Sequence, residues 1–138
     1  MSAAVAAALR ERVGGSWNER ADGWWLRLPP QELRMAAKTM LDGGARFSTL
    51  VARPGKAGEL RLSWHWDLLG TLLSVETALP PGAAVPSIAD LYPGIDWIER
   101  ETVEYYSVRF EGRASTPPLM LREGDAPGVL VRVEGGRP

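Results

Sequence analysis

The chain has 138 residues, among them 16 Lys and Arg against 17 Asp and Glu, which gives a formal net charge of -1. This length suits one domain built around a single hydrophobic core. The balanced charge argues against a dedicated nucleic-acid binder, because such proteins need an excess of Lys and Arg to bind phosphate. The absence of cysteine excludes disulfides and thiolate metal sites, and a single histidine excludes a histidine cluster.

Six tryptophans are an unusual load of large amphipathic rings for a chain with three tyrosines and two phenylalanines. No segment has the ~20 consecutive apolar residues that span a bilayer. The Ala-rich run over residues 3–9 is short, and charged residues follow it instead of preceding it, so it predicts no export signal. We therefore expect a cytoplasmic protein, for which attachment to a membrane complex through another protein stays open.

Six segments of the first 80 residues have the patterns of helices and strands. An Ala-rich helix that carries Val5 and Leu9 on one side is predicted over Ser2–Val13, where a Gly pair ends it. The other segments are a strand over Gly23–Leu28, a helix over Pro30–Leu41, and strands over Arg46–Arg53, Glu59–Leu68 and Thr71–Leu79.

The strand over Glu59–Leu68 alternates most clearly between apolar and polar residues. Trp64 and Trp66 share its apolar side and are therefore predicted to lie in the core. With the next strand it should form an antiparallel hairpin. These patterns predict an α+β fold, a two-layer domain in which a mostly antiparallel, mixed sheet of about four to five strands carries helices on one face.

The second half of the chain is less regular. A short helix over Ser87–Tyr92, capped by Ser87, and a second helix from Asp96, its cap, to Tyr106 are predicted there. The remainder to Pro138 is rich in Gly and Pro, with one apolar run over Val129–Val133. We expect one domain over residues 1–138, with the sheet core in 1–84 and a helical segment and irregular C-terminal arm in 85–138.

Two groups of polar residues have the composition of a catalytic site. Ser63, His65 and Asp67 have the residue types of a hydrolase triad, but side chains in a row on one strand offer no exposed nucleophile turn and no oxyanion hole. A hydrogen bond at a surface or an interface is expected of His65 instead. Glu101 and Glu104 share a helix face and could do acid–base work if burial split their pKa values, while the simpler interpretation is a charged helix face.

Adjacent Trp24 and Trp25 must point to opposite faces of their strand. At least one of them is therefore expected to face solvent or a partner, since large rings are favoured at protein interfaces. One hypothesis is a free-standing small-molecule or protein-binding domain that uses exposed tryptophans. A base- or sugar-stacking platform is disfavoured, because it would need interleaved basic residues and a groove.

The second half also resembles a known family on six short stretches. Its triplet Glu99-Arg100-Glu101 is followed, after two residues, by an acid and two bulky side chains, Glu104-Tyr105-Tyr106. The chain resembles the 30 kDa subunit family of respiratory complex I (the C subunit of NADH dehydrogenase), which includes related subunits of energy-converting nickel–iron hydrogenases. The framing stretches are Val85-Pro86-Ser87-Ile88, Leu91-Tyr92-Pro93, Asp96-Trp97 and Phe110-Glu111-Gly112.

Three positions depart from the family pattern. The family has a glycine where this chain has Ser107, a His or Lys where it has Arg113, and an arginine where it has Pro117. In the family these positions belong to a segment that lies against neighbouring subunits, so the resemblance implies an altered partner surface. We therefore expect a shorter, hydrogenase-type or divergent relative.

The resemblance implies a non-catalytic accessory subunit in the peripheral arm of a complex I-like NADH:quinone oxidoreductase or a group 4 hydrogenase-like complex. It implies no cofactor in this chain, with iron–sulfur clusters and a quinone or nickel–iron site in the partners, a large subunit and a small iron–sulfur subunit. The resemblance also implies that the chain lies on the cytoplasmic side of the membrane, where it supports assembly of the complex. The expected subunit-interface residues are Trp97, Glu99, Arg100, Glu101, Glu104, Tyr105, Tyr106, Phe110 and Arg113.

Overall fold

The computed structural model describes residues 2–114, 119–122 and 124–129, which form an α+β domain. Three helices and seven strands lie in this part of the chain. The helices are α1 (Ser2–Val13), α2 (Leu33–Asp42) and α3 (Asp96–Tyr106). The strands are β1 (Trp17–Arg20), β2 (Gly23–Arg27), β3 (Arg46–Pro54), β4 (Leu60–Leu68), β5 (Thr71–Leu79), β6 (Ala84–Pro86) and β7 (Arg109–Glu111).

The main sheet has five strands in the order β1-β2-β5-β4-β3. The predicted hairpin is confirmed, because β4 and β5 pair antiparallel along their whole length. Within this five-stranded sheet only β2 and β5 pair in parallel, with Leu26 opposite Val75, which makes the sheet mixed. Strand β1 was not predicted: its polar residues lack an apolar alternation, and it is held as the outer strand of a hairpin with β2.

Gly23 enters β2 at the tip of that hairpin, where the chain runs close to β5. Its φ is 129°, and a Cβ placed there would lie only 2.5 Å from the carbonyl oxygen of Leu72. No side chain fits this approach, so glycine is required for the hairpin to reach the sheet.

The core lies between the helices and one face of the sheet. Trp64 and Trp66 of β4 are fully buried there, as predicted, against Leu9 of α1 and Met40 of α2. Helix α2 follows a 3-10 turn over Pro30–Glu32 and buries an apolar stripe of four residues, whereas Leu41 near its end is exposed. On α1, however, Ala6 is buried instead of Val5, which lies on the exposed side.

The second half of the chain corrects two predictions. Residues 87–92 form a turn and not a helix, with the N–H groups of Leu91 and Tyr92 both donating to the carbonyl of Ile88. Asp96 is the first residue of α3 with helical φ and ψ and is therefore not its cap; its carboxylate pairs with Arg113 instead. Strands β6 and β7, a parallel pair, were not predicted. The apolar run Val129–Val133 lies outside the described residues apart from Val129.

Candidate subunit interface on helix α3

The residues of α3 are placed around its axis by the helical advance of about 100° per residue. Glu99 and Thr102 fall on the side that faces the domain, and both are buried. Trp97, Glu101 and Glu104 fall on the opposite side, which faces away from the sheet. The acidic residues of the family signature are therefore divided between two environments.

Glu99 is fully buried, and its carboxylate accepts hydrogen bonds from three donors of this chain. The Ser87 hydroxyl donates to Oε1 over 2.6 Å, and the N–H of Ile88 donates to Oε2 over 3.0 Å. A guanidinium N–H of Arg113 also donates to Oε1 over 2.8 Å. A buried charge with an ion pair and two further hydrogen bonds is stable in place, and it ties the 87–88 turn to α3.

Arg113 joins the chain after β7 to the first turn of α3. It pairs with Asp96 as well as with Glu99, and its side chain is mostly buried. One guanidinium with two carboxylate partners holds a fixed orientation, since its planar donors serve both at once. The segment after β7 is therefore fixed against the beginning of the helix.

Glu104 points away from the domain and is buried nevertheless, because residues 119–121 cover it. The backbone N–H groups of Leu119, Met120 and Leu121 all donate to its carboxylate, at 2.7 Å and 2.8 Å for the first two. Burial raises the pKa of Glu104, but these hydrogen bonds and the charge of Arg100 outweigh it and hold the pKa below the ordinary value. The carboxylate thus anchors this segment to the outer side of α3.

The rest of the outer side of α3 is open. Trp97 is 64% exposed, and the guanidinium carbon of Arg100 lies 5.8 Å from the centre of its ring. Glu101 is exposed, and Tyr105 is half-buried with its hydroxyl near the sulfur of Met120. We call the exposed Trp97 and Glu101, together with the partly buried Arg100, the open face of α3. Of the expected interface residues, Tyr106 and Phe110 are half-buried and pack against the core cluster.

Glu101 and Glu104 do not form a catalytic pair here. Both carboxylate oxygens of Glu104 accept backbone N–H groups, while Glu101 lies in solvent. Ser87 was predicted only as a helix cap, and its role as a donor to Glu99 was missed. Its hydroxyl also accepts the N–H of Ala89, an arrangement typical of a serine turn. No pattern in the sequence links residues that are 12 apart in this way.

Ser107 occupies a left-handed position directly after α3, with φ 58° and ψ 36°. Glycine adopts this conformation without strain at a helix C-terminus, whereas a side chain is disfavoured there. The departure from the family glycine therefore has a cost in backbone strain. Arg113, the second departure, carries the two ion pairs described above, and Pro117 lies outside the described residues.

His65 lies on the other face of the sheet, between two serines. Its Nδ1 is 2.7 Å from the Ser74 hydroxyl oxygen, and its Nε2 is 2.9 Å from that of Ser63. Burial lowers the pKa of His65, an effect that the charges of Asp22 and Glu76 partly offset. Asp67 instead accepts the N–H of Gly70, so the three polar residues of the strand do not assemble into a triad.

Trp24 and Trp25 point to opposite faces, as the strand pattern predicted, and both are half-buried. The guanidinium of Arg10 stacks on Trp24 at 3.7 Å, and that of Arg20 on Trp25 at 4.3 Å. Among residues 2–114, 119–122 and 124–129, no three acidic or histidine side chains are grouped to bind a metal ion. In the same ranges, no helix is both long and apolar enough to cross a bilayer.

Comparison with known proteins finds related chains from several bacteria, among them C subunits of NADH-quinone oxidoreductase. That of Rhodopseudomonas palustris (strain BisB18) is 38% identical over 78 residues, which are 55% of this chain and 39% of that protein. That of Mycobacterium sp. (strain KMS) is 32% identical over 127 residues, 81% of this chain and 54% of that protein. That of Rhodobacter capsulatus is 29% identical over 90 residues, 60% of this chain and 45% of that protein.

This chain thus spans about half or less of the length of these relatives. The family model described as "Respiratory-chain NADH dehydrogenase, 30 Kd subunit" matches residues 26–129, which reach from β2 past α3 and include every residue of the candidate interface. With well over half of its length matched, the chain belongs to the 30 kDa subunit family of the respiratory-chain NADH dehydrogenase.

Proposed function

We propose that this chain is a non-catalytic accessory subunit of a complex I-like NADH:quinone oxidoreductase and supports the assembly of its electron-transfer module. The family membership and the names of the relatives, each a C subunit of NADH-quinone oxidoreductase, support this proposal. The redox centres, iron–sulfur clusters and a quinone site, would lie in partner subunits. The chain would then associate with the membrane peripherally, through the complex.

The open face of α3 is the single observation that best supports a docking role. An exposed tryptophan with a cation beside its ring is the kind of residue that anchors protein interfaces, because it buries a large area with little loss of side-chain freedom. Glu101 on the same face adds a charge that can set the orientation of a partner. The partner would be the large subunit, with the small iron–sulfur subunit adjacent.

The two buried acids of the signature, Glu99 and Glu104, would support docking indirectly. Glu99 and Glu104 hold the 87–88 turn and the 119–121 segment on either side of α3, so the helix is positioned before any partner arrives. A helix fixed in advance loses less conformational freedom on binding than a mobile one. Glu99 and Glu104 would therefore be positioning residues, while the open face of α3 makes the contacts.

A hydrogenase-like complex is the second branch of this proposal. The change at Ser107 and the ion pairs of Arg113 support a divergent relative. In such a complex, the large subunit would carry a nickel–iron site instead of a quinone site. The complex that co-purifies with this chain separates the two branches. Quinone reduction by NADH would favour the first, and hydrogen evolution or uptake the second.

The test is retention of the chain in the complex purified from its own host. Trp97→Ala and Glu101→Lys should each lower the amount of chain that co-purifies with the other subunits, at least severalfold. Met35→Ala serves as the matched control, because Met35 is even more exposed, at 78%, but lies on α2. Wild-type retention of both α3 variants would refute docking through this face.

Arg100 is a less suitable test position. Its charge helps to hold the pKa of Glu104 below the ordinary value, so Arg100→Glu would also weaken the anchor of residues 119–121. Loss of assembly in that variant would mix a docking defect with a folding defect. Trp97 and Glu101 avoid this problem because both are exposed.

A further inference from the structure

The outer sheet face, opposite the helices, carries a row of arginines that the proposed function does not use. Arg27 of β2 and Arg53 of β3 approach the same carboxylate, that of Glu76 on β5. Arg27 Nη2 lies 3.0 Å from Oε1, and Arg53 Nη2 lies 3.2 Å from Oε2. The Glu76 side chain is 4% exposed, whereas the two arginine side chains are 62% and 58% exposed.

One arginine would be enough to neutralise the buried carboxylate. With two, the group keeps a surplus of one positive charge at the surface. Burial raises the pKa of Glu76, but the two guanidinium groups outweigh it and hold the pKa below the ordinary value, so Glu76 is charged at neutral pH. Each guanidinium has five N–H donors and shares one nitrogen with Glu76, which leaves donors directed toward solvent.

A third arginine is held beside this pair. Arg20 of β1 stacks on the ring of Trp25, whose indole N–H donates to Asp22 over 2.8 Å. Between Arg20 and Arg27 lies a cavity of about 260 Å³, which is also lined by Asn18, Trp25, Leu26 and Glu76. Three arginines against Asp22 and Glu76 leave this part of the outer sheet face with a net charge of +1.

The arginines are also positioned in advance. The guanidinium carbon of Arg20 lies 4.3 Å from the centre of the Trp25 ring, and a buried carboxylate holds Arg27 and Arg53, so a ligand would not have to order three flexible side chains. Planar donors of this kind match the geometry of carboxylates, which they bind through two parallel hydrogen bonds. Val51, an exposed apolar residue, lies in the same row of the sheet as Arg27 and Glu76.

We propose that the outer sheet face binds an acidic segment of a partner protein, whose carboxylates pair with Arg20, Arg27 and Arg53. A peptide segment would use both the guanidinium donors and the apolar surface of Val51 and Trp25, which a small free anion would not. The acidic residues interspersed among the arginines oppose a continuous chain of phosphates. This inference is independent of docking through α3, because it concerns the opposite part of the domain and is tested on the chain alone.

The test is an NMR titration of the full-length, 15N-labelled chain with a hexaglutamate peptide at low salt. The signals of the side-chain Nε–H groups of Arg20, Arg27 and Arg53 and of Trp25 Nε1–H should shift together. They should not shift with hexaglutamine, which has the same length and no charge. Added salt should weaken the binding, since its origin is electrostatic.

Variants assign the effect to the site. Arg20→Gln should weaken hexaglutamate binding roughly three- to tenfold, because it removes one charge-assisted contact while Glu76 keeps both of its partners. Arg12→Gln removes the same charge from the exposed side of α1 and should leave the affinity unchanged. Arg27→Lys keeps the charge near Glu76 but loses the planar fork, so it should weaken binding while the chain stays folded.

Three results would overturn the proposal. The first is an absence of shifts at the arginines, or shifts that are spread over other surfaces. The second is an equal loss of affinity in Arg12→Gln, which would indicate general charge attraction. The third is binding of inorganic phosphate or acetate as tight as that of the peptide, which would indicate a small-anion site.

Discussion

The two sides of α3 use the same residue type for different purposes. On the inner side, Glu99 is enclosed by an arginine, a serine and a backbone N–H of this chain. On the outer side, Glu104 is enclosed only because residues 119–121 lie over it, while Glu101 stays in solvent. Three acids on neighbouring turns of one helix thus have three environments.

This contrast shows that a charged signature need not be an exposed one. Burying Glu99 and Glu104 is tolerable because each carboxylate receives several charge-assisted hydrogen bonds. In return, each ties a segment without regular structure to a rigid helix. The residues that remain available to a partner are those with no such task, Trp97 and Glu101 foremost.

The largest effect on stability is expected from Glu99→Gln. The change leaves the mostly buried Arg113 with Asp96 as its one remaining carboxylate partner and should lower the free energy of unfolding by about 3 kcal/mol. Glu101→Gln is the matched control on the exposed side and should change it by less than about 0.5 kcal/mol. Urea denaturation measures both changes in the free energy of unfolding. Equal changes in the two variants would contradict the difference between the two sides of α3.

A smaller and more local effect is expected from Glu104→Gln. The amide accepts fewer hydrogen bonds than the carboxylate, so the variant should lose about 1.5 kcal/mol and release residues 119–121 first. Hydrogen exchange at the backbone N–H groups of Leu119, Met120 and Leu121 should become roughly tenfold faster, which is the rate equivalent of that loss. If these groups exchange at the wild-type rate, the carboxylate of Glu104 does not hold residues 119–121 in place.

The smallest effect is expected in the pH dependence of stability. The pKa of Glu104 is lower in the folded chain than in the unfolded chain, so its contribution is complete above the unfolded value of about 4.3 and is lost as the pH falls through the folded value. On acidification through this range, the urea midpoint of the wild type should therefore fall more steeply than that of Glu104→Gln. Parallel curves would contradict this origin.

Strands β2 to β5 and the first two helices could be predicted because their apolar residues repeat at the period of the element. Trp64 and Trp66 alternate with polar residues on β4, and the stripe of α2 recurs every three to four residues. Strand β1 could not be found in this way. It is polar along most of its length, and its conformation depends on the pairing with β2 and not on its own pattern.

Around α3, the sequence did not indicate which acids are buried and which are exposed. All the acids of the signature are equally polar. Hydropathy therefore does not distinguish an acid that will be buried beside a guanidinium from one that will be exposed to water. The error at Ser87 has the same origin: a serine before an apolar residue is typical of a helix cap, yet its hydroxyl here serves Glu99. Partners 11 to 17 residues away decided these positions, and a local pattern does not contain them.

The one parallel pairing of the main sheet, between β2 and β5, joins strands that lie far apart in the chain. Strands β3, β4 and β5 follow one another and pair through short connections, so little loop entropy opposes their association. The β1–β2 hairpin can join the sheet only once β5 is in place. The paired residues Arg27 of β2 and Glu76 of β5 are 49 residues apart in the chain. We therefore expect the N-terminal part to join the central meander late in folding. The family match, which begins within β2 at residue 26, leaves out nearly all of this part.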